Sequence, residues 1–313
     1  MKELVLIGSG NMAIAYCEAL KFLNIDFTVI GNSKEKAKEF TTKTGKTCIP
    51  GGIQKYLENN STKPSHAILA VQVEVLFDVS KVLINHGIEK ILVEKPGGIN
   101  YTEINDLENI AKGEVELFVA YNRRFYQSVL QAKEEIEKDG GALSARFEFT
   151  EWSHVIEKLK KSDELKKNWF LANSTHVIDL AFSLIGKPKE ISCYTSGKLK
   201  WHNPSIFCGS GISENNCLFS YYANWESSGR WGIEVNTSKR KLILSPLEIL
   251  QEQQVGSIEI QKVEMDYSKD EKFKPGILEQ CRAFINGEKQ HLKSIQEQKN
   301  DLKFLSKING RTQ

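Results

Sequence analysis

The sequence predicts a doubly wound parallel α/β sheet followed by a second domain of α+β type. Short apolar strand patterns alternate six times with helix patterns from Glu3 to Tyr121, which is typical of βαβ units. A glycine-rich hexapeptide joins the first strand to the first helix. Beyond these elements, strands such as Ser144–Thr150 alternate polar and apolar residues, as in an antiparallel sheet with one solvated face. We therefore expect domains at 1–121 and 122–313.

The elements predicted for the first domain follow one another with short connections. The expected strands are Glu3–Ile7, Phe27–Ile30, Lys46–Ile49, His66–Val71, Ile91–Val93 and Val115–Tyr121. The expected helices run to about Leu23, through Ala37–Thr42, and over Gly51–Asn59, Val73–His86 and Tyr101–Ala111.

The second domain is predicted to mix helices with antiparallel strands. Helices are expected over Asn122–Lys138, Trp169–Ile185, Gly276–Ile285 and Ile295–Ile308. Strands are expected at Ser144–Thr150, Ile191–Lys198, Asn216–Trp225, Arg230–Asn236, Lys239–Leu244 and Ile258–Val263. No internal repeat and no long flexible linker is apparent.

Composition and charge argue against several classes of function. The 313 residues carry 42 Lys and Arg against 40 Asp and Glu, a net charge of +2, which gives no electrostatic case for nucleic acid. No apolar run approaches the ~20 residues that span a bilayer, and the N-terminus enters a strand pattern directly, unlike a signal peptide. The six cysteines lack metal-ligand spacing, so we expect no metal site, reduced thiols and a cytoplasmic location.

The segment Gly8-Ser9-Gly10-Asn11-Met12-Ala13 predicts dinucleotide binding. Gly8 permits a tight turn, and Gly10 lets the backbone approach a pyrophosphate at the N-terminus of the helix. The small side chain of Ala13 lets helix and strand pack closely. We expect Ser9, Asn11 and Met12 to contact the cofactor as well.

The end of the second strand predicts which cofactor is used. An NAD site normally has a carboxylate here to hold the ribose 2′-hydroxyl, whereas this chain reads Gly31-Asn32-Ser33-Lys34 and has no acid before Glu35. Asn32 and Ser33 can donate hydrogen bonds to a 2′-phosphate, and Lys34 adds positive charge. We therefore expect NADP in preference to NAD. Ser33 is also a candidate helix cap, and the two roles are compatible.

The fifth predicted strand ends abruptly at Glu94-Lys95-Pro96-Gly97-Gly98. Ligands of open parallel sheets bind beyond the carboxyl ends of the strands, which places Lys95 at the mouth of a cleft. A solvated lysine at a strand end is the alternative. Glu94 and Pro96, together with Ala70-Val71-Gln72 after the fourth strand, are expected to flank the nicotinamide half of the cofactor.

His176 and Asp179 stand three residues apart on an otherwise apolar helix, so they share one face. A core histidine paired with a nearby acid is one interpretation. The other is an acid–base catalyst, since an unperturbed histidine pKa of ~6.5 suits proton transfer near neutral pH.

Four segments together resemble the Gfo/Idh/MocA oxidoreductases over essentially the whole chain. They are Gly8–Ala13, Glu94–Gly98, Asn122-Arg123-Arg124-Phe125 and His176–Asp179, in the family's order. The resemblance implies an N-terminal Rossmann domain and a C-terminal domain on an open, mostly antiparallel sheet that commonly forms a homodimer or homotetramer interface. It also implies NAD(P)-linked oxidation of a sugar or cyclitol hydroxyl, or the reverse reduction of a ketone.

By this resemblance, Lys95 hydrogen-bonds the reacting hydroxyl and His176 takes or returns its proton. Asn122 is expected at the cofactor, and Arg124, Asn173 and Asp179 at the substrate. Many members carry Asp four residues before the histidine, and here that position is Ala172, which removes an orienting or relay group.

The segment Asn173–Asp179 is similar to that of members that act in the biosynthesis of surface or nucleotide-activated sugars, so the expected substrate is a sugar or a nucleotide-linked sugar. Two alternatives remain open. One is a regulator that binds dinucleotide without turnover, which the missing aspartate favours, and the other is a non-sugar reductase on the same fold.

Overall fold

A computed structural model describes residues 3–60, 63–113 and 115–311. These residues form two compact units. The first contains the described residues up to Asn122 together with Lys272–Asn300, and the second contains Arg123–Glu271 and the residues from Asp301 onwards. The division differs from the predicted domains, 1–121 and 122–313, because residues 272–300 pack with the first unit.

The elements are as follows. The helices are α1 (Asn11–Phe22), α2 (Lys34–Thr44), α3 (Gly52–Asn59), α4 (Leu76–Asn85), α5 (Tyr101–Ala111), α6 (Gln127–Lys138), α7 (Ser153–Ile156), α8 (Asp163–Lys167), α9 (Thr175–Ile185), α10 (Ser268–Lys272), α11 (Ile277–Asn286) and α12 (Ile295–Ile308). The strands are β1 (Leu4–Ile7), β2 (Phe27–Ile30), β3 (Cys48–Ile49), β4 (His66–Leu69), β5 (Lys90–Glu94), β6 (Glu116–Ala120), β7 (Ser144–Glu148), β8 (Pro188–Ser196), β9 (Ile206–Ser213), β10 (Leu218–Asn224), β11 (Gly232–Asn236), β12 (Arg240–Leu244), β13 (Leu250–Gln254), β14 (Gln261–Lys262) and β15 (Lys293–Ser294).

The first unit is built on a sheet with the strand order β15-β6-β5-β4-β1-β2-β3. Its six predicted strands are all present and mutually parallel, which confirms the doubly wound sheet. The strands are short apolar runs with buried side chains, because helices cover both faces of such a sheet. The chain order reverses between β1 and β4, and ligands of this architecture bind at that switch point.

Residues 272–300 complete the first unit in two places. Helix α11 packs against α1 and buries Ile277, Leu278 and Phe284. Strand β15 pairs antiparallel with β6, so that β6 is not left as an open sheet edge. The helical and strand patterns of this stretch carry no signal of which unit they join, which is why a boundary read from chain order misplaced them.

The second unit is built on a sheet with the order β14-β13-β12-β11-β7-β10-β9-β8. Only β7 and β10 pair in parallel among its described strands, which confirms a mostly antiparallel sheet. Strand β9, which contains Gly209 and Gly211, was not predicted. A Cβ at Gly209 would lie 2.4 Å from the hydroxyl of Tyr221, and one at Gly211 would lie 2.0 Å from the carbonyl oxygen of Glu190. These glycines serve close packing within the sheet.

Three predicted helices begin differently from expectation. The first turn is a 3₁₀ helix at Val73–Val75 before α4 and at Asn122–Phe125 before α6. The stretch predicted as Trp169–Ile185 starts as a π-helix over Phe170–Ser174 and continues as α9. None of the helices in the described ranges is long and apolar enough to cross a membrane.

Candidate functional site

The turn after β1 requires glycine at its first position. Gly8 has φ +126°, and a Cβ there would lie 2.2 Å from the carbonyl oxygen of Ala70, the residue that follows β4. The amide of Gly8 donates to the carbonyl of Ile30 at 2.9 Å. The end of β1 is therefore held tightly between its two neighbours, and the predicted residues Gly8 and Ala70 lie together at the switch point.

Gly10 has a different environment. It lies just before α1 with φ −89°, and a Cβ there would meet nothing within 4 Å. The first turn of α1 contains no acidic residue, and no side chain caps it. The unpaired amides and the dipole of a helix N-terminus favour an anion. The open space at Gly10 therefore suits the pyrophosphate of a dinucleotide, approached by backbone rather than by side chains.

The loop after β2 has the features that bear on cofactor choice. The Ser33 hydroxyl accepts a hydrogen bond from the amide of Lys36 at 3.2 Å, which confirms that Ser33 caps α2. Its own proton stays available for donation. The side chains of Asn32 and Lys34 are exposed, and the first acid, Glu35, lies in the first turn of α2.

The turn Glu94-Lys95-Pro96 is supported through Glu94 by a buried hydrogen-bond chain. The hydroxyl of Tyr16, a fully buried residue of α1, lies 2.8 Å from Oε1 of Glu94 and 3.1 Å from the side-chain amide of Gln280. The Tyr16 hydroxyl has one proton to donate, and both atoms beside it, Oε1 of Glu94 and the amide oxygen Oε1 of Gln280, are acceptors, so these two oxygens share that proton. Burial raises the pKa of Glu94, while Tyr16 and Lys95 oppose that change.

A second buried glutamine supports the same turn. Nε2 of Gln298 donates to the carbonyl oxygen of Pro96 at 3.2 Å and to the hydroxyl of Tyr121 at 3.1 Å. Sequence reasoning missed Gln280 and Gln298. The available signal was a glutamine at buried positions of two amphipathic helices. Asn122, predicted at the cofactor, donates through Nδ2 to the carbonyl of Pro275 at 2.9 Å.

In the second unit, His176 is a buried residue of α9, and its ring centroid lies 6.2 Å from that of Trp231. Asp179 accepts two hydrogen bonds of 2.7 Å from the guanidinium of Arg124. Arg124 and Asp179, both predicted at the substrate, thus form a bidentate ion pair. Nearby, burial and the charge of Arg124 lower the pKa of Lys133 to about 8.

Sequence reasoning missed a buried carboxylate that contacts the helical turn preceding His176. Glu151, 2% exposed, follows β7 and accepts hydrogen bonds from the Ser174 hydroxyl at 2.8 Å and from Nδ2 of Asn173 at 3.0 Å. Burial raises the pKa of Glu151 despite these bonds. Glu151 therefore supplies an acid at the turn that contains Ala172. Only the fold brings Glu151 to this turn, since it is separated from Asn173 by 22 residues in the sequence.

Each group of predicted residues lies within one unit. Lys95 and the cofactor residues from Gly8 to Asn122 belong to the first, whereas His176, Arg124, Asn173 and Asp179 belong to the second. Among the described residues, no group of three or more His, Cys, Asp or Glu is arranged to hold a metal ion.

A cleft of about 510 Å³ beside β6 and β15 contains none of the predicted residues. Two of the acids that line it are already paired, Glu116 with Lys289 and Glu108 with Lys299 at 2.6 Å. This pairing makes the cleft a poor candidate for a ligand site.

Several solved structures have a similar fold. A levoglucosan dehydrogenase in complex with NADH and levoglucosan is 17% identical, covers 98% of this chain and 96% of its own, and superposes with a TM-score of 0.77. An oxidoreductase from Agrobacterium radiobacter in complex with NAD⁺, L-tartaric acid and magnesium is 13% identical, with coverage of 99% and 97% and a TM-score of 0.77. The UDP-N-acetylglucosamine 3-dehydrogenase GnnA from Acidithiobacillus ferrooxidans is 12% identical, with coverage of 99% and 97% and a TM-score of 0.72.

No protein-family model and no curated protein sequence matches the chain. At these levels of identity, the structural similarity shows a shared fold.

Proposed function

We propose that this chain is an NAD(P)-dependent oxidoreductase that transfers a hydride between nicotinamide and the hydroxyl-bearing carbon of a sugar. The observation that carries the proposal is the end of β1. Gly8 presses against Ala70 at the switch point, and Gly10 leaves space at the start of α1. Oxidoreductases of similar fold, two of them described with NADH or NAD⁺, support this assignment.

In the proposed mechanism, the residues around Gly8, Gly10 and Ala70 would hold a dinucleotide whose nicotinamide would supply the hydride chemistry. Lys95 holds the reacting oxygen, and its ammonium stabilises the alkoxide that develops there. His176 takes the hydroxyl proton, and its burial keeps bulk water from competing for that proton. The bonds from Tyr16 to Glu94 and from Gln298 to Pro96 fix the chain on both sides of Lys95.

The finer parts of the proposal concern cofactor and substrate. We propose NADP in preference to NAD, supported by the exposed amide of Asn32, the Ser33 hydroxyl and the absence of an acid between Gly31 and Lys34. We also propose that the sugar is nucleotide-linked.

A homodimer or homotetramer through the second-unit sheet is a further part of the proposal. Tyr194, Cys208 and Tyr222 are cross-strand neighbours on β8, β9 and β10, and all three are exposed or partly exposed on one face. Leu218, on the same face of β10, is 60% exposed. An aromatic and apolar face of this kind suits association with a second copy.

The first test is calorimetric titration with NADPH and with NADH. All five tryptophans (residues 152, 169, 201, 225 and 231) lie in the second unit, so heat is a more direct probe of the first unit than intrinsic fluorescence. We expect NADPH to bind more tightly than NADH. If NADH binds more tightly than NADPH, only the proposed preference for NADP is refuted. If neither cofactor binds, the proposed function itself is refuted.

The second test uses Lys95→Met and His176→Asn, with Lys112→Met as the control at an exposed lysine of the first unit. Both site variants should bind cofactor normally and lose about 10²–10⁴-fold in kcat, the usual contribution of a positioned proton-transfer group. Turnover unaffected by Lys95→Met would contradict the role of Lys95. Cofactor binding without turnover of any sugar or ketone would favour the regulator, and turnover of non-sugar ketones alone would favour the other reductase.

A further inference from the structure

Two arginines of the second unit are stacked on one buried tryptophan. The guanidinium carbons of Arg123 and Arg230 each lie 4.7 Å from the ring centroid of Trp231. The two guanidinium carbons are therefore no farther apart than twice 4.7 Å. Trp231 also contacts His176, with ring centroids 6.2 Å apart. The cationic pair thus adjoins the candidate acid–base residue.

This cluster contains buried donors that lack acceptors. Nε of Arg123 and Nε1 of Trp231 are inaccessible to solvent, and neither has a hydrogen-bond partner among the described residues. The whole Trp231 side chain is only 6% exposed. A buried donor without a partner has lost its hydrogen bonds to water, so two such donors in one cluster point to a ligand that accepts from both.

The arginines also lack acidic partners within their unit. Among its described residues, no carboxylate forms an ion pair with Arg123 or Arg230, whereas the neighbouring Arg124 is paired bidentately with Asp179. The carboxylates whose charges act on Arg123 are Glu248 and Glu151, and the charge of Arg230 also acts on Glu151. Glu151 is already hydrogen-bonded to Ser174. Burial lowers the pKa of Arg123, and Arg230 acts in the same direction. An anion between the two arginines would relieve both penalties.

The backbone of Arg230 is hydrogen-bonded, and its exposed side chain stacks on two tryptophan rings. Its amide donates to Oε1 of Glu148 at 3.1 Å, and Nε1 of Trp152 donates to the carbonyl of Gly229 at 2.9 Å. Its guanidinium also lies 4.6 Å from the ring centroid of Trp152. Stacking between aromatic rings reduces the side-chain freedom that would be lost when Arg230 binds an anion.

We propose that Arg123, Arg230 and the indole N–H of Trp231 form a subsite for an oxyanion group of the substrate, a carboxylate or a phosphate. The planar guanidinium matches either group with paired hydrogen bonds. The preferred substrate is therefore an acidic sugar, whose anionic substituent lies at Trp231 while a hydroxyl of the same molecule faces His176. This inference rests on the proposed function, because it assigns the substrate class of the same reaction.

The test compares four probes: glucose, glucuronate, glucose 6-phosphate and UDP-glucose. Binding is followed by tryptophan fluorescence, which reports the second unit directly, and turnover is followed separately with the preferred cofactor. The variants are Arg123→Gln, Arg123→Lys and Arg230→Gln. Arg146→Gln is the control, because Arg146 is an exposed arginine of the same unit that pairs with Glu234 on the sheet.

We expect at least one anionic probe to bind, and glucose to bind at least tenfold more weakly. Arg123→Gln and Arg230→Gln should each weaken the anion about 10–100-fold, since a hydrogen bond to a charged group contributes about 1.5–3 kcal/mol. Arg123→Lys should recover only part of the loss, and Arg146→Gln should change nothing. Glucuronate as the best probe would identify a carboxylate subsite, and either of the other two a phosphate subsite.

Two results would overturn the inference: glucose binding as tightly as every anionic probe, or anion affinity unchanged in both glutamine variants. The fluorescence titration requires no cofactor and no turnover. Failure of the proposed function would show as absent NADPH and NADH binding with anion binding intact. Failure of the inference alone would show as normal cofactor binding with no effect of Arg123→Gln or Arg230→Gln on anions. Circular dichroism shows whether each glutamine variant is folded like the wild type. If Arg123→Gln is unfolded, the test rests on Arg230→Gln, because the Arg230 side chain is exposed.

Discussion

The end of β1 and the surroundings of Trp231 are two contrasting kinds of candidate binding region. The first consists of backbone and small residues that are contiguous in the chain, from Gly8 to Ala13, against Ala70. The second consists of large charged and aromatic side chains from distant positions, including Arg123, His176 and Arg230. A site made of backbone is limited by whether a Cβ fits, whereas a site made of side chains is limited by whether charges and donors are matched.

The largest loss of stability is expected at Gly8, where the backbone conformation and the close packing admit only glycine. Gly8→Ala forces a Cβ to within 2.2 Å of a carbonyl oxygen at φ +126°. It should cost about 3 kcal/mol or more of unfolding free energy and abolish cofactor binding. Gly10→Ala is the matched variant, because its Cβ meets nothing within 4 Å. It should leave stability within about 0.5 kcal/mol and still weaken cofactor binding at least tenfold.

Urea denaturation followed by circular dichroism measures the stability of both glycine variants, and calorimetry measures cofactor affinity. Equal stability of Gly8→Ala and Gly10→Ala would contradict the packing described at the end of β1. Normal cofactor affinity of Gly10→Ala would contradict the assignment of the open space to a pyrophosphate.

The next largest effect concerns charge matching in the second unit. Arg124→Met leaves the carboxylate of Asp179, 3% exposed, without its bidentate partner and should cost about 3–5 kcal/mol, reduced to the extent that Lys133 compensates. Arg146→Met, which breaks the exposed pair with Glu234, should cost no more than about 1 kcal/mol. Urea denaturation monitored by tryptophan fluorescence compares the two, and similar costs would show that burial of the Arg124–Asp179 pair has no energetic weight.

A smaller effect is expected with pH. Burial lowers the pKa of His202 to about 4, and its side chain is 3% exposed. Above pH ~6.5, where an unfolded histidine is neutral, His202 carries no proton in either state. As the pH falls from ~6.5 towards 4, His202 becomes protonated in the unfolded state but stays neutral in the folded state. Up to about 3 kcal/mol of unfolding free energy is therefore lost, and the loss levels off below pH ~4.

His202→Asn should remove this part of the pH dependence while keeping a donor for the carbonyl of Pro204, which lies 2.7 Å from Nδ1. His154→Asn, at an exposed histidine, is the control and should leave the wild-type slope intact. Denaturation between pH 4 and 7, followed by tryptophan fluorescence, measures the difference. An unchanged slope in His202→Asn would show that His202 does not stay neutral in the folded state.

The same contrast explains what could be predicted from the sequence. Gly8, Gly10 and the cap at Ser33 were found because backbone constraints act between neighbouring residues. Glu151 and Trp231 were missed because the fold alone brings Glu151 to Ser174 and Trp231 to His176.

Periodicity located most of the strands that have a solvated or a buried face. It missed β9, whose glycines pack within the sheet, and β13, whose residues are almost all polar. It also predicted a strand over Ile258–Val263 where the structure has only β14, because Ile258 is 97% exposed and packs against nothing. The assignment of 272–300 to the first unit was also beyond local patterns, because it depends on contacts with α1 and β6 rather than on any property of the stretch itself.

The discontinuous first unit has a consequence for synthesis on the ribosome. A nascent chain that has emerged only as far as Asn122 contains six strands of the sheet but lacks β15, α11 and both supporting glutamines of the Glu94–Pro96 turn. Its β6 edge stays open to wrong partners until residues 272–300 have been made. The continuous stretch Arg123–Glu271 emerges before that point. The unit that comes first in the sequence therefore cannot be completed until most of the chain, including Arg123–Glu271, has been made.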